Sequence, residues 1–225
     1  MNKPRGHVVI TGTGRAGTTF LVQLLTNLKL DTGYNAETMR AGIQENARAG
    51  LENDVRKECA PYIVKSTFFC DYVGEVVKRE DIKLDHVFVP MRDLHAAAES
   101  RRFVTRKAVA GMPLWKRLKS RIKPPKLAGG LMHSRANRKQ EKILMGQLYN
   151  LILALSEAQI PVTLLQYPKL VTDSSYLYEK LKPILGSISY SEFDSTFSQT
   201  VRPELVHDFK QKPSLSASPC FAEPK

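Results

Sequence analysis

One stretch constrains this chain more than any other. The residues HVVIT at 7–11 lead into Gly12-Thr13-Gly14-Arg15-Ala16-Gly17, then Thr18 and Thr19, then a run with Leu21, Leu24, Leu25 and Leu28 at i, i+3, i+4 and i+7. The short apolar run predicts a buried strand, and the leucine spacing predicts a helix with one apolar face. A strand that turns through glycines directly into a helix is the opening unit of an α/β fold.

The rest of the chain repeats the alternation. PYIV at 61–64 reads as a second strand ending at Lys65, and HVFVPM at 86–91 as a third ending at Arg92, followed at once by a helix through Ala96–Ala98. A helix is expected near Lys139 with Leu144, Leu148, Leu151 and Leu155 on one face, a strand at 162–165, and a helix from about Asp173, an N-cap residue type, carrying Leu177, Leu181 and Ile184. The expected architecture is α/β: a parallel sheet covered by helices on both faces, in a single domain over residues 1–205. Residues 206–225, rich in Pro and Ser, read as a loosely ordered tail.

Charge enters the argument through its distribution. The formal net charge is +12, yet 14 of the 34 Lys and Arg lie between Arg101 and Lys142 with one acid, Glu141. The remaining residues carry 20 basic and 21 acidic side chains, so the basicity is a local insertion on a nearly neutral protein. Gly111, Pro113, Pro124, Pro125, Gly129 and Gly130 divide that insertion, which argues against one long helix through it. A length of 225 residues excludes a disulfide-stapled miniprotein, and Cys59, Cys70 and Cys220, odd in number and with no Cys-x-x-Cys pair, give no zinc or redox motif and fit a reducing, cytoplasmic address. No apolar run reaches the length of a membrane span, and a structural motif begins where a cleaved leader would lie. The five histidines show no metal-ligand spacing.

The glycine loop admits three readings. As GxGxxG it would serve a dinucleotide, with Asp31 near the distance at which a ribose-binding acid is expected. As GxxxxGK[ST] it would serve a metal-dependent kinase, except that Thr18 stands in place of the Lys and the identified strands end at Lys65 and Arg92 rather than at an Asp. In the third, the backbone amides and the helix N-terminus make an anion cradle whose cation, Arg15, lies inside the loop.

In this third form Arg15-Ala16-Gly17-Thr18-Thr19 resembles the phosphosulfate loop of the sulfotransferases that use 3′-phosphoadenosine 5′-phosphosulfate. A second segment supports the resemblance: VFVPMRDLHAAAESR supplies Arg92 at a strand end, Ser100 eight residues on and Arg101 behind it, similar to the 3′-phosphate site of the carbohydrate-modifying members, with Leu94 where they usually have Pro. LLQYPKLVTDSSYLYEKL is similar to that family's later strand, turn and helix, with Pro168 and Lys169 replacing an acidic pair.

The resemblance implies a P-loop NTPase-like, sulfotransferase architecture and a donor nucleotide, 3′-phosphoadenosine 5′-phosphosulfate, held by Gly14, Arg15, Ala16, Gly17, Thr18, Thr19, Arg92, Ser100 and Arg101. It implies transfer to a hydroxyl or amine of a small-molecule or glycan acceptor, with no metal needed, because cationic side chains and amides stabilise the developing charge. Arg15 is the expected partner of the leaving oxygen. Lys65, in Lys65-Ser66-Thr67-Phe68-Phe69, is similar to the family's Lys that contacts the transferring group.

The expected base is Glu37, in the loop after the first helix, with Asp31, Glu45 and Asp71 as further acids. The basic insertion has three readings: a lid over the donor, a recruiter of anionic glycan or lipid, or a solvated loop. Within it, Met112 and Trp115 are either contacts for substrate or lipid, or anchors for a lid. No nucleic-acid partner is required. The alternatives are a P-loop kinase and a non-catalytic nucleotide- or polyanion-binding protein.

Overall fold

The computed structural model describes residues 3–44, 49–117, 129–131 and 139–203. Four parallel strands form the central sheet: β1 (Arg5–Ile10), β4 (Ile63–Lys65), β5 (Ile82–Met91) and β6 (Val162–Gln166), in the order β4-β1-β5-β6. Between β1 and β4 lie α1 (Thr18–Asn27), α2 (Ala36–Ala41) and a two-stranded antiparallel ribbon of β2 (Ile43–Gln44) and β3 (Ala49–Gly50). The chain continues through α3 (Val73–Val76), α4 (Leu94–Ala110), α5 (Gln140–Glu157), α6 (Lys169–Thr172), α7 (Ser174–Leu185) and α8 (Tyr190–Thr200).

The apolar runs in the strands follow from burial on both faces. On one face Val8, Ile10, Phe88 and Leu165 pack against Leu21, Leu24 and Leu25 of α1, Leu177 and Leu181 of α7, and Phe193 and Phe197 of α8. On the other, Val9, Val64, Val87 and Val89 pack against Val73 and Val76 of α3 and Leu151 and Leu155 of α5. Successive strand residues point to opposite faces, so Val8 and Val9 join different cores. The architecture is therefore α/β, a parallel sheet with helices on both sides.

Two differences from the sequence reading have physical causes. The third strand extends back from residue 86 to Ile82, because Ile82 and Leu84 are buried while Lys83 is exposed, an alternation that HVFVPM alone does not show. Helix α8, which periodicity did not reveal, has only two buried residues, Phe193 and Phe197, one helical turn apart. Tertiary packing holds it: Phe197 meets Phe20 of α1 edge-on at 5.6 Å, and Ser189 accepts a capping hydrogen bond from the Glu192 amide at 3.2 Å. The expected tail at 206–225 lies outside the described residues.

Candidate functional site

Strands β1, β4 and β5 run in parallel, so their carboxyl ends deliver the glycine loop, Lys65 and Arg92 to one edge of the sheet, the edge where open α/β sheets place their ligands. Asp93 caps α4 through the Ala96 amide, and Asp173 caps α7 through the Tyr176 amide. Helix α1 instead starts at Gly17, in the left-handed region at φ 88°, with no side-chain cap and no acid in its first turn. Its first amides have no intrahelical acceptor, and the helix dipole leaves that end partially positive.

Arg101 shapes the loop. Its side chain, 2% exposed as a residue, donates from Nε to the Thr13 carbonyl at 3.0 Å, from Nη2 to the same oxygen, and from Nη1 to the Gly130 carbonyl at 2.6 Å. Gly14 is needed opposite it, because a Cβ there would lie 2.5 Å from Arg101 Nη2 and the backbone sits at φ +63°. Burial and the neighbouring Arg15 charge pull the Arg101 guanidinium down to about 10. Arg15 is lowered by burial first and by the Arg92 charge second.

The end of β5 and the start of α4 bring up a second set of donors. Arg92 Nη1 donates to the Arg15 carbonyl at 2.8 Å, and its guanidinium lies 4.7 Å over the Tyr167 ring. Ser100, two turns into α4, is buried and accepts from Arg15 Nε at 3.1 Å. The two segments singled out in the sequence are thus in direct contact.

Lys65 ends β4 with its side chain 1% exposed, and Nζ donates to Glu52 Oε1 at 2.7 Å and to the Gly50 carbonyl at 2.5 Å. Burial lowers the Lys65 ammonium below its usual range, and Glu52 partly offsets the shift. Glu52 also accepts from the Thr67 amide at 2.9 Å and from Thr67 Oγ1 at 3.2 Å.

Arg15, Gly17, Thr18, Thr19, Lys65, Arg92, Ser100 and Arg101 all line one cavity of about 380 Å³. Gly14 and the fully buried Ala16 stand behind that wall. Arg101 spends the hydrogen bonds described above on loop carbonyls, so it reaches the cavity as a charge and holds the loop as a strut. Glu37 is not brought in: it is exposed in the first turn of α2, where its amide donates to Asn35 Oδ1 at 3.0 Å. The Asp31 carboxylate accepts from the Tyr62 amide at 2.8 Å, Asp71 from Gln147 at 3.2 Å, and Glu45 lies outside the described residues. From the basic insertion, Gly129 also lines the cavity.

Sequence reasoning missed Glu52, Thr67 and Tyr167, which line the same space. Thr67 and Tyr167 each lie two residues or fewer beyond a strand end, a placement that could have been read. Glu52 also follows a strand, but β3 is two residues long and no apolar run in the sequence announces it. Among the described lining residues the charges are Arg15, Lys65, Arg92, Arg101 and Arg202 against Glu52 alone. A desolvated excess of cations around an uncapped helix start has the chemistry to hold an anion, and two donor sets suit two anionic groups on one molecule.

Comparison with protein-family models, curated proteins and solved structures returned no match.

Proposed function

We propose that this chain moves a sulfuryl group from 3′-phosphoadenosine 5′-phosphosulfate to a hydroxyl or amine, with a carbohydrate or glycolipid as acceptor, on a P-loop NTPase-like sulfotransferase architecture. The observation that carries this reading is the junction of the two donor sets in one cavity, where Arg15 of the loop donates to Ser100 at 3.1 Å and Arg92 donates to the Arg15 carbonyl at 2.8 Å. One ribose presents its 3′- and 5′-phosphates at short range, which suits adjacent cradles. ATP has no phosphate for the second of them.

The donor supplies the sulfuryl group and a phosphate leaving group; the chain supplies position and charge. Thr18, Thr19 and the first amides of α1 hold the 5′-phosphate, and Arg92 with Ser100 holds the 3′-phosphate. Lys65 steadies the sulfuryl oxygens. Glu52, rather than Glu37, takes the proton of the acceptor O–H or N–H as that atom bonds to sulfur. The sulfur–oxygen bond to phosphate breaks, its electron pair stays on the bridging oxygen, and Arg15 stabilises that charge. The product is 3′,5′-adenosine diphosphate.

Thermal shift separates the candidates. At 100 times its dissociation constant 3′,5′-adenosine diphosphate should stabilise by about 2.7 kcal/mol, a rise of about 5–10 °C for a chain of this size. Arg92→Ala should erase its advantage over AMP. Stabilisation by ATP with magnesium but not by the bisphosphate would support the kinase and overturn the proposal. Binding without turnover of the sulfated donor on a panel of hydroxyl and amine acceptors would leave a non-catalytic nucleotide-binding protein.

A further inference from the structure

Beyond the cavity, the end of α4 and the turn after it present an uncommon surface. Leu114 is 76% exposed, the most exposed large apolar side chain among the described residues, and the adjacent Trp115 is 58% exposed. Phe103, on α4, is also exposed. Cations interleave with them: Lys107 in the last turn of α4, then Lys116 and Arg117, all exposed, with Lys116 Nζ 5.1 Å over the Trp115 ring. The Lys116 and Arg117 amides both donate to the Pro113 carbonyl, so Leu114–Arg117 forms a helical turn, with Leu114 and Trp115 exposed on it. The opposite side of α4 is anchored, with Arg102 bridging Glu99 and Glu141 and Arg101 buried under the glycine loop.

Isolated exposed apolar side chains are ordinary on a protein surface. An adjacent Leu-Trp pair inside the strongly cationic stretch of a chain whose other residues are nearly balanced in charge suits a partner that satisfies both features. A soluble polyanion would meet the cations and leave Leu114 and Trp115 in water. A bilayer surface carrying anionic lipid meets both, because the indole settles at headgroup depth, the leucine enters the acyl boundary, and the ammonium and guanidinium groups pair with phosphates.

We infer that the Leu114–Arg117 turn and the adjoining end of α4 dock this protein peripherally on an anionic lipid bilayer. This inference stands apart from the sulfuryl-transfer reading, since it uses none of the residues lining the cavity.

The chain contains a single tryptophan, Trp115, so the proposed contact residue is also its own reporter. The full chain would be titrated with vesicles of phosphatidylcholine alone and of phosphatidylglycerol mixed with phosphatidylcholine, with Trp115 emission recorded. The anionic vesicles should shift the emission to the blue and allow quenching by brominated acyl chains, the neutral ones should do neither, and raising salt to about 0.5 M should weaken the response.

In cosedimentation, replacing both Lys116 and Arg117 by Gln should weaken partitioning about 30-fold. Leu114→Ser should weaken it at least about 10-fold. Both substitutions fall on exposed side chains, and an unchanged melting temperature verifies the fold. An emission that anionic vesicles leave unmoved, an equal response to neutral vesicles, or full partitioning of the Leu114→Ser variant would overturn the inference. So would binding to heparin by a protein that does not sediment with vesicles, which would assign the patch to a polyanion.

Discussion

Replacing Glu52 by Gln is the most informative perturbation. The Lys65 side chain is 1% exposed and its ammonium depends on Glu52 Oε1 at 2.7 Å and the Gly50 carbonyl. Removing one partner of a fully buried pair costs about 3–5 kcal/mol, because the other charge is stranded. Here Glu52 is 32% exposed, so water screens part of the interaction, and the Gln amide oxygen still accepts one hydrogen bond. The expected loss is about 1.5–3 kcal/mol at pH 7, a fall in melting temperature of about 3–12 °C.

The effect carries a pH signature. Burial holds the folded Lys65 ammonium below its ordinary 10.5, so between that lowered value and 10.5 the unfolded chain binds more protons. Stability from this group therefore rises as pH rises through the window, and the cost of burying the charge is fully present below it. Without Glu52 the folded value falls further. The deficit of Glu52→Gln relative to wild type should be larger at pH 7 than at pH 10.5, which lies above the lowered folded value, so that folded Lys65 is mostly neutral in both proteins. Circular dichroism melts of both proteins at the two pH values test this, and their difference cancels most contributions of other groups. A variant within about 1 °C of wild type at pH 7, or a deficit undiminished at high pH, would refute the role given to the pair.

Gly14→Ala combines a left-handed backbone with a Cβ 2.5 Å from Arg101 Nη2, so it should cost about 1–3 kcal/mol and diminish the shift produced by 3′,5′-adenosine diphosphate in the same thermal assay. Glu37→Gln, on an exposed side chain away from the cavity, should leave both the melting temperature and that ligand shift within about 1–2 °C of wild type; a large loss of the shift would restore Glu37 to the site. Burial, reinforced by Asp71, pushes the Cys70 thiol up to about 12, so iodoacetamide at pH 8 should label the exposed Cys59 at least about 100-fold faster than Cys70, as mass spectrometry of peptides can follow.

Features set by neighbours in sequence were legible without the structure. The strand at HVVIT, the glycine loop, the leucine face of α1, the Asp173 cap and the strand ends at Lys65 and Arg92 all depend on spacing within one element, where periodicity and cap chemistry act. Parallel strands also have a topological consequence that chain order predicts: their carboxyl ends share an edge, so Arg15, Lys65 and Arg92 meet in one cavity.

Glu52 and Glu37 mark where that reasoning stops. Both are acids in the stretch between α1 and β4, and no local signal marks Glu52 as the one that reaches the cations. The difference is made by long-range backbone contacts: the Asn53 amide donates to the Lys65 carbonyl at 2.8 Å, which lays the Leu51–Asn53 segment beside β4 and turns Glu52 onto Lys65 and Thr67. Glu37 instead lies exposed in the first turn of a helix capped by Asn35. Arg101 shows the same division. Its position behind Arg92 and Ser100 was visible in the sequence, but its burial beneath the Thr13 and Gly130 carbonyls was not.

The sequence by itself determined which elements form and which cations stand at their ends, because those depend on interactions within a few residues. The tertiary structure alone decided which carboxylate faces the cations and which arginine on the cavity wall also holds the loop through its carbonyls. Those outcomes depend on burial and on hydrogen bonds between segments far apart in the chain, for which a single sequence carries no local signature.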